Sequence, residues 1–123
     1  MKVIVTASEG DINAQVDPRF GRAKAFILYD TETDRWEALD NSQNLNAAQG
    51  AGVQAATTVV NSGAKAVLTG NCGPRAFATL SAASIEVYTG VSGTVAEAIE
   101  KFKRGELKPT NSANVDAHFG MGI

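Results

Sequence analysis

Two arginines flank a phenylalanine in the stretch DPRFGRAKAF, residues 17 to 26, and the chemistry this offers is recognition of anions. Arg19 and Arg22 carry planar guanidinium groups that stay charged and present several N–H donors suited to oxyanions and larger polyanions. Asp17, Pro18 and Gly21 around them supply a turn, and Phe20 supplies an aromatic body to pack it. A plainer arrangement uses the same residues: Arg19 paired with Asp17, or Arg22 with Glu9, as surface ion pairs that contribute little.

A second candidate lies at TGNCGPR, residues 69 to 75. Asn71, Cys72 and Gly73 precede Pro74, which suits the first turn of a helix because its missing N–H is not needed there. Backbone N–H groups at a helix start carry partial positive charge and favour anions. The same position would lower the pKa of Cys72 and favour thiolate, the form that binds soft metals. The alternative for Cys72 is a small buried filler, the habit of lone cysteines. GVSGT, residues 90 to 94, repeats the Gly-rich turn before a helix; Ser92 and Thr94 there are anion donors or simple helix caps. His118, in the tail sequence DAHFG, echoes DPRFG and adds one imidazole, either solvated or a metal ligand.

Other chemistries lack their residues. The chain has no GxGxxG, P-loop, HExxH or CxxC. The strands carry no cluster of carboxylates for a two-metal nuclease. One cysteine rules out an internal disulfide and a self-contained four-cysteine metal site. A thiol-dependent enzyme built on Cys72 would need a base that nothing near it in sequence supplies.

These residues must be held by an alternation of strands and helices. KVIVTA (2 to 7) and AFILYD (25 to 30) are β-branched or aromatic runs, and RWEAL (35 to 39) alternates after the turn residues TETD, predicting an antiparallel hairpin. Residues 41 to 52, NSQNLNAAQGAG, read as an exposed loop. Val53, Ala56, Thr57 and Val60 recur at helical spacing and predict an amphipathic helix with that stripe inward, closed by Gly63. AKAVLTG, a helix from NCGPRAFATL, and IEVYTG follow. Thr94 and Glu97 form a capping-box pair opening a last helix, with Val95, Ala98, Ile99 and Phe102 inward and Gly105 at its end. The order implies an α/β layered domain of about five strands, with parallel strands and right-handed crossovers after residue 53. If the first strand is central, the Arg19–Arg22 loop lies at the same sheet edge as the Cys72 turn, where ligands gather in open α/β sheets.

Composition fits this picture. The 123 residues suffice for one domain, and 44% hydrophobic with 20% charged residues is the balance of an ordinary globular protein. A formal net charge of -2 argues against a general nucleic-acid or membrane-surface binder. No run approaches the ~18 apolar residues of a membrane span. The N-terminal run reads as a strand and not as a signal peptide. A cytoplasmic single domain is expected, with a mobile tail from residue 109.

Taken together, KVIVTAS, DPRFGRAKAFILYD, GAGVQAA, AVLTGNCGPRAF and GTVAEAIEKFKRGEL resemble the dinitrogenase iron–molybdenum cofactor biosynthesis family, from residue 1 to about 108. That family includes NifX-like proteins, the C-terminal part of NifB proteins and the molybdenum–copper orange protein of sulfate reducers. D-x-R-F-G-R-A is its most specific piece. The resemblance implies a ribonuclease-H-like three-layer domain over residues 1–108, with a five-stranded mixed sheet, the second strand antiparallel, and flanking helices. It also implies a small non-enzymatic protein that binds or carries an anionic metal–sulfur cluster (Fe–S, Mo–Fe–S or Mo–Cu–S) or a nitrogenase-type cofactor precursor. A cluster-assembly protein would be its partner, with no nucleic acid and no membrane. Arg19, Phe20, Gly21, Arg22, Asn71, Cys72 and Gly73 would form the cofactor site, with Cys72 or His118 as metal ligands. Several relatives carry histidine where this chain has Asn71, Cys72 or Gln49, so histidine ligation does not carry over there. The competing reading is a regulatory or scaffold module that binds a protein partner without metal, through the 41–52 loop and the tail.

Overall fold

A computed structural model of the chain describes residues 1–42 and 50–110. Gln49, His118, most of the expected 41–52 loop and the tail beyond residue 110 lie outside the described residues. The elements run β1 (Lys2–Ala7), β2 (Ala25–Asp30), β3 (Trp36–Asp40), α1 (Ala51–Ser62), β4 (Ala66–Leu68), α2 (Pro74–Ala82), β5 (Glu86–Tyr88) and α3 (Val95–Lys103). The strands form one sheet in the order β3-β2-β1-β4-β5. β2 runs antiparallel to both β1 and β3, whereas β1, β4 and β5 are parallel to one another. The mixed sheet and its antiparallel second strand are as expected.

β1 lies at the centre because both of its faces are apolar, as strands covered on both sides require. Ile4, with Phe26, Leu28 and Val67, packs against α1 and α2; Val3 and Val5, with Ile27, Tyr29 and Leu68, pack against α3. Helices therefore cover both faces. α3 begins with the expected capping box, in which Glu97 N–H donates to Thr94 Oγ1 at 3.1 Å and Thr94 N–H to Glu97 Oε1 at 2.8 Å. Phe102 on α3 meets Tyr88 edge to face, ring centroids 5.4 Å apart. Beyond α3 the chain returns along β5, where Thr110 N–H donates to Val87 O at 2.7 Å.

α1 corrects the expected stripe. Its buried residues are Ala51, Ala55, Ala56 and Val59, while Val53 and Val60 are 39% and 38% exposed. The helix also begins two residues earlier than Val53. The reason is close approach: a Cβ built on Gly52 would stand 3.4 Å from the Ala76 side chain of α2. Small residues let the two helices lie near one another; Val59 joins the alanines in the core, and Val53 and Val60 are left on the outer face.

Candidate functional site

The loop between β1 and β2 is tied back to the sheet at Asp17. Asp17 N–H donates to Thr6 O at 2.9 Å, and Thr6 Oγ1 donates to Asp17 O at 2.7 Å. Thr6 Oγ1 also lies 2.9 Å from Thr69 Oγ1, so hydroxyls at the ends of two adjacent parallel strands meet inside the protein. Both threonines are fully buried, where a polar group must find such partners.

From there the loop pairs with the turn after β4. Arg19 and Asn71 form a parallel β-bridge: Asn71 N–H donates to Pro18 O at 2.8 Å and Phe20 N–H to Asn71 O at 3.2 Å. Asn71 Nδ2 donates to Pro18 O as well, at 3.1 Å. Phe20 turns inward, 2% exposed, and stacks on Phe26 with ring centroids 5.7 Å apart. The contacts are tight enough to demand glycine. A Cβ on Gly70 would come within 2.7 Å of Pro18 Cα, and one on Gly21 within 2.8 Å of the Gly52 backbone. Asn41, fully buried just past β3, donates from Nδ2 to Ala23 O at 2.7 Å and Gly21 O at 3.3 Å, closing the loop from its far side.

The Gly-rich turn after β5 joins the same end. Gly90 N–H donates to Gly70 O at 2.8 Å, and Val16 N–H to Gly93 O at 2.9 Å. Thr94 is engaged in the α3 capping box, the plainer of its two expected roles. Sequence reasoning thus places Arg19, Phe20, Gly21, Arg22, Asn71, Cys72 and Gly73 in two segments, and the structure brings those segments together by backbone pairing at the Arg19–Asn71 bridge. It did not single out Thr6 or Asn41, nor Thr69 and Gly70 within the 69–75 turn. A threonine ending each of the apolar runs VIVT and AVLT was a legible signal for Thr6 and Thr69.

The charged groups differ in their surroundings. Arg19 is paired with Asp17, Nε to Oδ1 at 3.3 Å, and its side chain is 56% exposed against 7% for the carboxylate. The plain pairing foreseen for Arg19 is therefore present, with the guanidinium still at the surface. Arg22 sits half-buried just past Gly21.

Cys72 requires a correction. Its side chain lies in the core cluster with Phe20, Phe26, Ala76 and Leu80, 1% exposed. Burial pushes the thiol up to about 11, because the low-dielectric surroundings penalise the charged form. The expectation that the helix start would favour thiolate fails, since desolvation dominates. Gly73 precedes α2 in an extended conformation without a side-chain cap, and Pro74 takes the first turn as expected. Among the described residues, no three His, Cys, Asp or Glu side chains gather in a way that would hold a metal ion. A shallow groove of about 440 Å³ lies at the opposite end of the sheet, lined by Lys2, Leu28, Asp30, Arg35, Trp36 and Glu37 among others. It mixes both signs of charge and contains none of the residues singled out by sequence. No helix among the described residues is long and apolar enough to cross a membrane.

Comparison with known proteins supplies a context for this geometry. A family model described as "Dinitrogenase iron-molybdenum cofactor" matches residues 1–105. The apo form of the orange protein from Desulfovibrio gigas superposes with a TM-score of 0.90 at 38% identity, over 93% of this chain and 96% of that one. A Thermotoga protein described as NifB-like gives a TM-score of 0.78 at 34% identity, over 93% and 98%. A protein of Methanocaldococcus jannaschii is 28% identical over 99 residues, 78% of this chain and 83% of its own length.

Proposed function

Because the chain belongs to the dinitrogenase iron–molybdenum cofactor family, we propose that it is a small cytoplasmic, non-enzymatic protein that binds or carries an anionic metal–sulfur cluster or a nitrogenase-type cofactor precursor. The cargo would be held at the end of the sheet where residues 17–22 meet residues 69–73. The observation that carries this reading is the Arg19–Asn71 bridge, which fixes an exposed arginine beside the turn that opens α2. The fold reading that accompanies it is ribonuclease-H-like over residues 1–108, supported by the strand order and the antiparallel β2, with residues 109–123 as a tail.

The donor set fits such a cluster as an anion and not as a metal in search of protein ligands. Guanidinium and amide N–H groups bond to the outer sulfides or oxygens of a polyanion, which is the task arginine performs well. Cys72 lends the turn its anchoring in the core; its sulfur would have to be exposed and deprotonated before ligating. Arg19 and Arg22 supply charge, Phe20 and Gly21 hold the loop down, and Asn71 and Gly73 shape the facing turn. A cluster-assembly protein would be the donor or acceptor of the cargo.

Anaerobic titration with tetrathiomolybdate, a doubly charged sulfide anion, with and without copper, tests the reading. Molybdenum retained after desalting at fixed stoichiometry supports it. A chain that retains no metal yet co-purifies with a protein partner supports the metal-free scaffold module. The outward Val53 and Val60 of α1 are the observation favouring that second reading.

A further inference from the structure

Asp17 is the one charged side chain buried among the described residues, and it lies at the base of a loop read as attracting anions. A carboxylate there opposes the charge of the ligand, and burying it carries a desolvation penalty unless it is well bonded. Its bonds explain its presence. The Asp17 backbone is fixed on both sides to Thr6 of the central strand. From that fixed backbone, Oδ1 accepts Arg19 N–H at 2.9 Å and Arg19 Nε at 3.3 Å, while Oδ2 accepts Nη2 at 3.4 Å. The anion sits inside and the cation outside, so the pair has a direction. With Nε and Nη2 turned to the carboxylate, the Nη1 donors are left for another acceptor.

We propose that Asp17 is a positioning residue for Arg19, holding its guanidinium at the rim in the orientation that meets an incoming anion. The inference rests on the anion-carrier reading above. Two effects of Asp17 oppose each other: repulsion of the ligand, and ordering of a long side chain. Repulsion is weakened because Arg19 already pairs with the carboxylate and the rim is open to solvent and salt. Ordering matters more, since a free arginine gives up much rotamer freedom when it binds. A carboxylate behind a metal-ligating side chain plays the same part, orienting a group that touches the ligand while touching nothing itself.

The test compares wild type, Asp17→Asn, Arg19→Ala and the double variant. Asn keeps an oxygen for the Arg19 backbone N–H, and Asp17→Ser, which also keeps one, serves if Asn disturbs folding. In the ¹⁵N–¹H spectrum, the Arg19 Nε–H of the wild type should exchange slowly with water, and that protection should fall in Asp17→Asn, which keeps Oδ1 but loses the charge and sets an NH2 donor against Nη2, while the backbone amides stay in place. Affinity for tetrathiomolybdate should fall roughly tenfold in Asp17→Asn, the low end for outer-shell carboxylates, with no further loss when the change is made in Arg19→Ala. An unchanged or tighter Asp17→Asn, or an equal loss in both backgrounds, overturns the inference. If wild type retains no tetrathiomolybdate, the carrier reading fails by itself. The Nε–H exchange then decides the positioning role alone, and an unprotected wild-type Nε–H overturns it.

Discussion

The two ends of the sheet solve the problem of polar groups in opposite ways. At the end where β1 and β4 finish, the polar residues Thr6, Asp17, Asn41 and Thr69 are all buried and bonded to backbone or to one another. At the other end, Lys103 bonds Asp34 at 3.1 Å and Glu100 at 3.6 Å, Tyr29 donates its hydroxyl to Asp34, and the N-terminus approaches Glu32 at 3.7 Å. All of these but Tyr29 are surface or partly exposed groups, screened by water and salt. The first arrangement fixes a loop; the second decorates a hairpin. A rigid rim is what a site for a large anion requires, because every donor ordered in advance is one that binding need not order.

The contrast can be broken most sharply at Cys72. Raising its pKa from 9.0 to about 11 leaves about a hundredfold less thiolate at pH 8, so a thiol reagent should label the folded protein at least that much more slowly than the urea-unfolded chain. Fast labelling would show that the turn opens readily. Gly70→Ala comes next: with Pro18 backbone 2.7 Å from the new Cβ, urea unfolding should show a loss of about 3 kcal/mol, the upper range for overpacking. Asn41→Ala leaves the Ala23 and Gly21 carbonyls without that donor, and about 2 kcal/mol should be lost by the same measurement. The smallest effect belongs to the far end. Lys103→Met should lower the urea midpoint only slightly at pH 7, and that small difference from wild type should disappear in acid. The Tyr29 hydroxyl and then Lys103 hold the Asp34 carboxyl below its ordinary value. Their contribution is present above the unfolded carboxylate pKa and lost as pH falls through the depressed folded one. Lys103→Met should therefore flatten the acid limb of stability slightly.

Much of this was legible in the sequence, and the exceptions share a cause. Strands appeared where β-branched residues cluster, and Gly63, Gly105, Pro74 and the Thr94–Glu97 pair marked helix ends, because those signals act within a few residues. The meeting of the Arg19 loop with the Asn71 turn followed from placing β1 at the centre. What the pattern misjudged depends on distant neighbours. Of the stripe Val53, Ala56, Thr57 and Val60 expected to face inward on α1, only Ala56 is buried, since periodicity weighs apolar size whereas contact with α2 favours the smaller residues beside Val59. Thr6 meets Thr69 across 63 positions of sequence, and Asn41 reaches back 18 to Ala23. The thiolate reading of Cys72 weighed only its helix start, and the alternative of a small buried filler is the one that its packing with Phe20, Phe26 and Leu80 bears out.

The central claim is that cargo binds at one end of the sheet because of the arginines at that rim, and not because the protein carries positive charge somewhere. Two double variants with equal charge change separate these: Arg19→Ala/Arg22→Ala at the proposed rim, and Arg35→Ala/Lys103→Ala at the far end. The measurement is molybdenum per chain retained after anaerobic tetrathiomolybdate loading and desalting. The account predicts that the rim variant, still folded, loses the metal while the far-end variant keeps the wild-type ratio. Equal retention by both variants would contradict it.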